Sequence, residues 1–523
     1  MKAIKPDVSG IVHVTGYACC NGSHAQAITR RKFVQVAGSA ALSTVAISGL
    51  SWAVLKAAPV GEKTQARRQP LVVKPILTYE IPVRQEQTSW RNWGGLQTDA
   101  DVLGEVERIQ GELKALNAAA DFPVTFLPVS RVLQTQELTG ISDLGSADVF
   151  LVYAAGGGMD IFDALNERGK NMIIFCRHKS GPVYLWYEII SPRFLRQHTD
   201  TLAVKGIDEN DVVIDSQKEL LWRLRSLGGL RNTVNSKIIA IGGPEAWAQP
   251  AGVVPKLVQE KYGLDIRTVS YEELGKLIAE ARSDHSANAR AKSRAEKYIQ
   301  DAGTRLETLQ QFVENCFVLE EILTRIMDSY NCSAITINQC MGTIMPLAKT
   351  SACLTLSLLN DAGYLAFCES DFVVVPVGIL LGNISGKPVF LNDPTYPHDK
   401  IITLAHCTAP RRMDGMHMAP ARIMTHFESD YGAAPKVEMT IGQTVTNIMP
   451  DFAFNRNVGM LGKIVENPTL DICRSQIDIS YTCEDKTVAE RMPGFHWITV
   501  YGDYLKEASY ALRKIGIPLE VLG

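Results

Sequence analysis

Residues Ser351–His406 read SACLTLSLLNDAGYLAFCESDFVVVPVGILLGNISGKPVFLNDPTYPHDKIITLAH, and the punctuation of this stretch sets the fold class. Leu354, Leu358 and Leu359 have helical spacing, Asn360-Asp361-Ala362-Gly363 supplies a stop, and Tyr364–Cys368 has the composition of a short buried strand. Glu369 and Asp371 follow at its end. A second helical pattern, Val374–Asn383, is broken by Ser385-Gly386-Lys387-Pro388 before another strand, Val389–Leu391, which runs into Asn392-Asp393-Pro394. Carboxylates after two successive strands of a β-α-β pattern mark the edge where open α/β sheets bind ligands.

Glu369 and Asp371 are two residues apart, so extended backbone would point both side chains to one face. Their repulsion is relieved by a divalent cation or by a shared proton. The same spacing also fits a solvated turn or a helix N-cap before the apolar run, and the residues by themselves leave both readings open.

Outward from this stretch, the chain is too long for one core, and about two to four domains are expected of its 523 residues. Apolar content of 46% and charged content of 21% are those of an ordinary globular protein. A formal net charge of −3, with no basic stripe interleaved with aromatics, sets nucleic-acid binding aside.

Towards the N-terminus, Thr29-Arg30-Arg31-Lys32-Phe33-Val34 opens an uncharged run from Phe33 to Leu55 that Lys56 closes. A twin arginine before a moderately apolar segment resembles a twin-arginine export signal, which implies the twin-arginine translocase as a partner and a periplasmic or exported location. The run is also long enough for a membrane tether if it is not cleaved. Ser51-Trp52-Ala53 and Ala57-Ala58 are the candidate cleavage sites, and Gly61–Gln69 reads as a solvated linker. Of the eleven cysteines, Cys19 and Cys20 precede this signal, and the rest show no Cys-x-x-Cys spacing. No disulfide framework is indicated, and the thiols read as small buried apolar groups.

After the linker, strand-like Leu71–Tyr79, Val124–Leu127, Val149–Tyr153 and Met172–Cys176 alternate with helical patterns, which implies a parallel sheet. The glycines at 156–158 read as a tight turn, Arg177-His178-Lys179 as a solvated basic triplet, and Leu220–Leu227 as a helix ending in Gly228-Gly229. Lys237–Ile241 starts a second α/β unit. The segment from Ala289 to Met327 reads as a long helix broken near Asp301-Ala302-Gly303. Beyond His406 the pattern favours a mainly antiparallel β domain, and Gly494–Asp503 is a strand that carries His496. The boundaries are therefore 1–68 for signal and linker, 69–235 and 236–395 for two α/β domains, and 396–523 for the β-rich domain.

Three places together carry a resemblance: Cys368-Glu369-Ser370-Asp371, Gly386-Lys387-Pro388-Val389-Phe390-Leu391-Asn392-Asp393, and Gly494-Phe495-His496 with the Val500-Tyr501-Gly502-Asp503 strand end. In these motifs the chain resembles the L-fucose isomerase and L-arabinose isomerase superfamily, in its fucose-isomerase-like branch. The resemblance implies two Rossmann-like parallel-sheet domains, a C-terminal β-barrel, a homo-oligomer, and interconversion of an aldose and a ketose on a divalent metal, manganese or else magnesium. By motif, Asp371 and His496 match metal ligands, and Asp371 also takes part in proton transfer. Glu369 matches an acidic neighbour that is a candidate for both roles. Gln339, Asn360, Asp393 and His406 are candidates for contacts to the small-molecule sugar or for support of the site. The family's earlier glutamate has no counterpart in Asn338-Gln339-Cys340-Met341-Gly342-Thr343. A non-catalytic exported sugar-binding or structural relative is therefore the alternative to an isomerase.

Overall fold

A computed structural model of the protein describes residues 44–57, 68–245 and 252–523. The twin arginine and most of the expected linker lie outside these residues.

The first sheet is parallel, in the order Val124–Phe126, Leu71–Thr78, Val149–Ala154, Asn171–Cys176 and Val212–Ile214, with Ser130–Val132 also paired to Leu71–Thr78. Every residue of Val149–Ala154 is buried, as expected for a strand covered on both faces by helices. Gly156 follows it so closely packed that a Cβ would meet the Glu80 amide nitrogen at 3.0 Å, in keeping with the tight turn read from the sequence. Of the basic triplet, Lys179 is exposed as expected, but Arg177 is not. Arg177 is fully buried, bonded to Glu105 at 2.6 Å and to both carboxylate oxygens of Glu112 at 2.9 Å, because two acids on the Asp99–Ala119 helix face it.

The second sheet is also parallel, in the order Val45–Ile47, Asp265–Val269, Lys237–Ile241, Ala334–Ile337 and Leu365–Cys368. Its edge strand corrects the expected boundary at residue 68, since Val45–Ile47 and the Trp52–Ala57 helix belong to the folded body. Trp52 and Leu55 are buried there, and Trp52 donates to Glu280 and Asp284. The long charged segment is two helices, His285–Gln300 and Gln310–Ser329, separated by the strand Thr304–Leu306 and joined by Arg290–Glu321 and Arg294–Glu320 ion pairs.

Val375–Ser385 is apolar on all sides and buried from Val375 to Ile384, so it is a core helix. Gly378 and Gly382 let it lie directly on the Leu365–Cys368 strand: a Cβ on either would stand 2.4 Å from the Phe367 or Leu365 side chain. The expected stop at Gly228-Gly229 is instead the interior of the Gln217–Arg231 helix. Gly229 is there for close approach, because a Cβ would fall 3.0 Å from the Ile384 backbone.

The C-terminal region closes a six-stranded antiparallel barrel from Phe390–Pro394, Ile401–His406, Ser475–Ser480, Asn457–Glu466, Thr444–Pro450 and Trp497–Tyr501. Leu519–Leu522 adds to it in parallel beside Asn457–Glu466. The expected boundary at residue 395 moves, since Phe390–Pro394 pairs on both sides with barrel strands rather than with the parallel sheet. No single helix among the described residues is long and apolar enough to cross a membrane.

Candidate metal centre

The barrel register gathers one half of the site. Leu391 faces Ile498 and Asn392 faces Trp497, and one more step brings Asp393 to His496. On the other side Asp393 pairs with Ala405, next to His406 at the end of its strand. The parallel sheet supplies the other half from the turn after Leu365–Cys368.

That turn is not extended, which corrects the argument from alternate residues. Glu369 and Ser370 both have left-handed backbone, with φ of 62° and 47°. Each such residue costs roughly 1–2 kcal/mol, and the surroundings fix it. The Glu245 N–H donates to the Ser370 carbonyl and the Phe372 N–H donates to the Glu245 carbonyl, both at 3.2 Å. The loop after Lys237–Ile241 thus clamps the acidic turn, a contact that nothing in the local sequence announces.

His496 is 1% exposed and lies among three carboxylates. Its Nδ1 is 2.7 Å from Asp371 Oδ2. Its Nε2 is 3.1 Å from Asp393 Oδ1 and 3.3 Å from Glu369 Oε2. His406 Nε2 stands 3.7 Å from Glu369 Oε1, and His406 Nδ1 is 3.1 Å from Thr408 Oγ1. Asp371 Oδ1 also accepts from the Val373 N–H at the entry to the core helix.

Burial alone would push the two histidines down and Glu369 up, but the attraction between these close opposite charges reverses both tendencies. Glu369 is held well below the usual carboxylate range by His406 and His496. His406 is raised by Glu369 and Asp393, and His496 is raised further by Asp371, Asp393 and Glu369.

Clusters of His, Cys, Asp and Glu that could hold a metal ion are present. Donor atoms of Asp393, His406 and His496 lie within 4.8 Å of one another, as do those of Cys368, Glu369 and His406. Two imidazoles and several carboxylates are a donor set suited to a hard or borderline divalent cation. Asp371, on the far nitrogen of His496, occupies the place from which a carboxylate orients a ligating imidazole.

Of the expected sugar contacts, Asp393 and His406 thus fall inside the cluster. Asn360 does not: its amide donates to the Leu356 and Ala366 carbonyls and accepts from the Ala366 N–H, tying helix to strand. Gln339 has left-handed backbone, is exposed, and accepts from Thr343 Oγ1 at 3.1 Å; no described contact joins it to the cluster. Cys368, the strand end that opens the Cys368-Glu369-Ser370-Asp371 motif, also brings its thiol near Glu369 and His406, and its Sγ is 3.6 Å from that of Cys340.

Comparison with known proteins gives little beyond this geometry. No family model and no curated protein matches the chain. Among solved structures it is similar to a carbohydrate transporter from Acidothermus cellulolyticus 11B in complex with myo-inositol, at 11% identity over 60% of this chain and 87% of that one. The TM-score of 0.16 is too low to carry an argument about fold or ligand.

Proposed function

We propose that Glu369, Asp393, His406 and His496 hold a divalent cation, manganese in preference to magnesium, and that the protein is an aldose–ketose isomerase of the fucose-isomerase-like kind. The observation that supports this most is the placement of His496 Nε2 between two carboxylates of separate elements, with Nδ1 fixed by a third. Bound there, the cation would hold vicinal sugar oxygens and polarise the carbonyl. Asp371 positions the imidazole. Glu369, fixed by its left-handed turn, accepts the proton from one sugar carbon and returns it to the next through an enediol. Asp393, whose side chain is 15% exposed, is the most exposed of the four and would meet a sugar hydroxyl.

One observation favours the non-catalytic alternative. Where the resembled family has a glutamate, this chain turns Gln339 outward, so Glu369 would have to serve both carbons. Incubating the manganese-loaded full chain with aldoses and ketoses in deuterated water separates the two readings. Solvent deuterium at C1 or C2 of one sugar supports isomerisation, whereas bound sugar and metal without exchange support a binding protein. Export by the twin-arginine pathway and assembly into a homo-oligomer belong to the same proposal, and rest on the Arg30-Arg31 motif and on the resemblance.

A further inference from the structure

A second group of metal-type donors lies behind the first. Cys353 opens the Cys353–Asp361 helix, Cys407 follows the barrel strand Ile401–His406, and His426 follows the strand Ala421–Met424. Their donor atoms lie within 4.8 Å of one another, and all three residues are at most 3% exposed. Cys473, 6% exposed, belongs to the same small apolar cluster and stands beside Cys407, because His406 pairs with Ser475 in the barrel. His426 Nδ1 is 3.3 Å from Ser429 Oγ, which leaves Nε2 for the thiols. Three of these elements therefore bring two sulfurs and one imidazole nitrogen together, and the segment that carries Cys473 packs against them.

We propose that Cys353, Cys407, Cys473 and His426 form a structural zinc site that joins the Cys353–Asp361 helix to the barrel. Three thiolates and one imidazole are a closed tetrahedral set for Zn²⁺, with no position left open for substrate. Zinc–sulfur bonds of about 2.3 Å put tetrahedral sulfurs about 3.8 Å apart, so Cys353, Cys407 and His426, with donor atoms already within 4.8 Å of one another, need only a small contraction, and Cys473 supplies the fourth ligand from the same cluster. Ser429 holds the imidazole from its far nitrogen, as partners outside a ligand shell do. Each thiol that binds gives its proton to solvent, and no oxidant is needed. The sequence conceals the site because its four ligands are spread from residue 353 to residue 473 with no paired spacing.

The test is elemental analysis and zinc-edge X-ray absorption on the full chain purified without chelator from zinc-replete cells. About one zinc per chain with about three sulfurs at 2.3 Å and one nitrogen near 2.0 Å is expected. His496→Ala should keep this zinc and Cys473→Ser should lose it, which separates the site from the carboxylate centre. Should Cys473→Ser not fold, peptide-resolved alkylation of the unaltered protein decides: Cys353, Cys407 and Cys473 should label only after chelation. Zinc well below one per chain, a sulfur-free shell, a Cys353–Cys407 disulfide, or equal labelling before and after chelation would overturn the proposal.

Discussion

His496 Nδ1 lies 2.7 Å from Asp371 Oδ2 across 125 residues of sequence. Nδ1 faces the Asp371 carboxylate and Nε2 faces Glu369 and Asp393, so a cation that displaces the Nε2 proton leaves the remaining proton on Nδ1. The contact thereby joins the parallel sheet to the barrel and selects the tautomer able to bind a metal.

Asp371→Asn removes the charge and keeps the shape. If Asp371 orients His496, manganese affinity should fall about 10- to 100-fold without being abolished. Titration calorimetry on the variant checks this, and a loss as complete as that of His496→Ala would make Asp371 a ligand itself, as the family resemblance implies.

Gly228 and Gly229 are neighbours in one helix with opposite expectations. Gly229→Ala forces a Cβ to within 3.0 Å of the Ile384 backbone and should cost about 1–3 kcal/mol. Gly228→Ala meets only Phe122 and Leu71 side chains at 3.6 Å or more, and should be neutral or stabilising by up to about 1 kcal/mol. Urea unfolding of the two variants reads the difference.

Trp52 is 3% exposed and bonded to Glu280 and Asp284, with Arg325 over its ring. Trp52→Ala in the full chain should destabilise by about 3–5 kcal/mol. A melting temperature unchanged from the unaltered protein would show that this segment does not dock, leaving it available as an export signal. A chain begun at Ala58 should be less stable for the same reason, because it lacks the edge strand.

Asp215 gives a pH dependence. Burial would raise its carboxyl, but the Ser180 hydroxyl and the amides of His178, Lys179 and Ser180 donate to it and hold it at about 2. A lowered folded value contributes stability above the ordinary carboxylate pKa of 3.8 that is lost as pH falls towards 2. The stability gap between the unaltered protein and Asp215→Asn, measured by urea midpoints, should be full at pH 5 and shrink below pH 4. A constant gap would contradict this.

The sequence showed most clearly what is punctuated locally. The strand at Leu365–Cys368, its acidic end and the helix after it follow from apolar spacing and a glycine stop. Partners in space did not follow. The apolar run Val389–Leu391 fits a further strand of the parallel sheet, yet its residues pair in the barrel, because strand composition does not name the neighbouring strand. Gly229 was read as a stop because the backbone of Ile384, which requires it, lies 155 positions away in the chain. Arg177 looked solvated for the same reason, its two glutamates lying on another element. Within the cluster, Glu369, Asp371 and His496 stand out in the sequence by motif, and the fold places Asp393 and His406, candidates for sugar contact or support of the site, beside them. Asn360 takes the structural one of its open alternatives, which the sequence does not separate because a side chain bonded to backbone has the same signature as one facing a ligand.

Metal content of the chelator-stripped full chain, back-titrated with manganese beside His496→Ala, is the most direct test of the central claim. The account requires about one manganese per chain at the carboxylate centre of the unaltered protein, with a rise in melting temperature, and neither in the variant. Equal binding by both proteins, or no binding by the unaltered one, would contradict it.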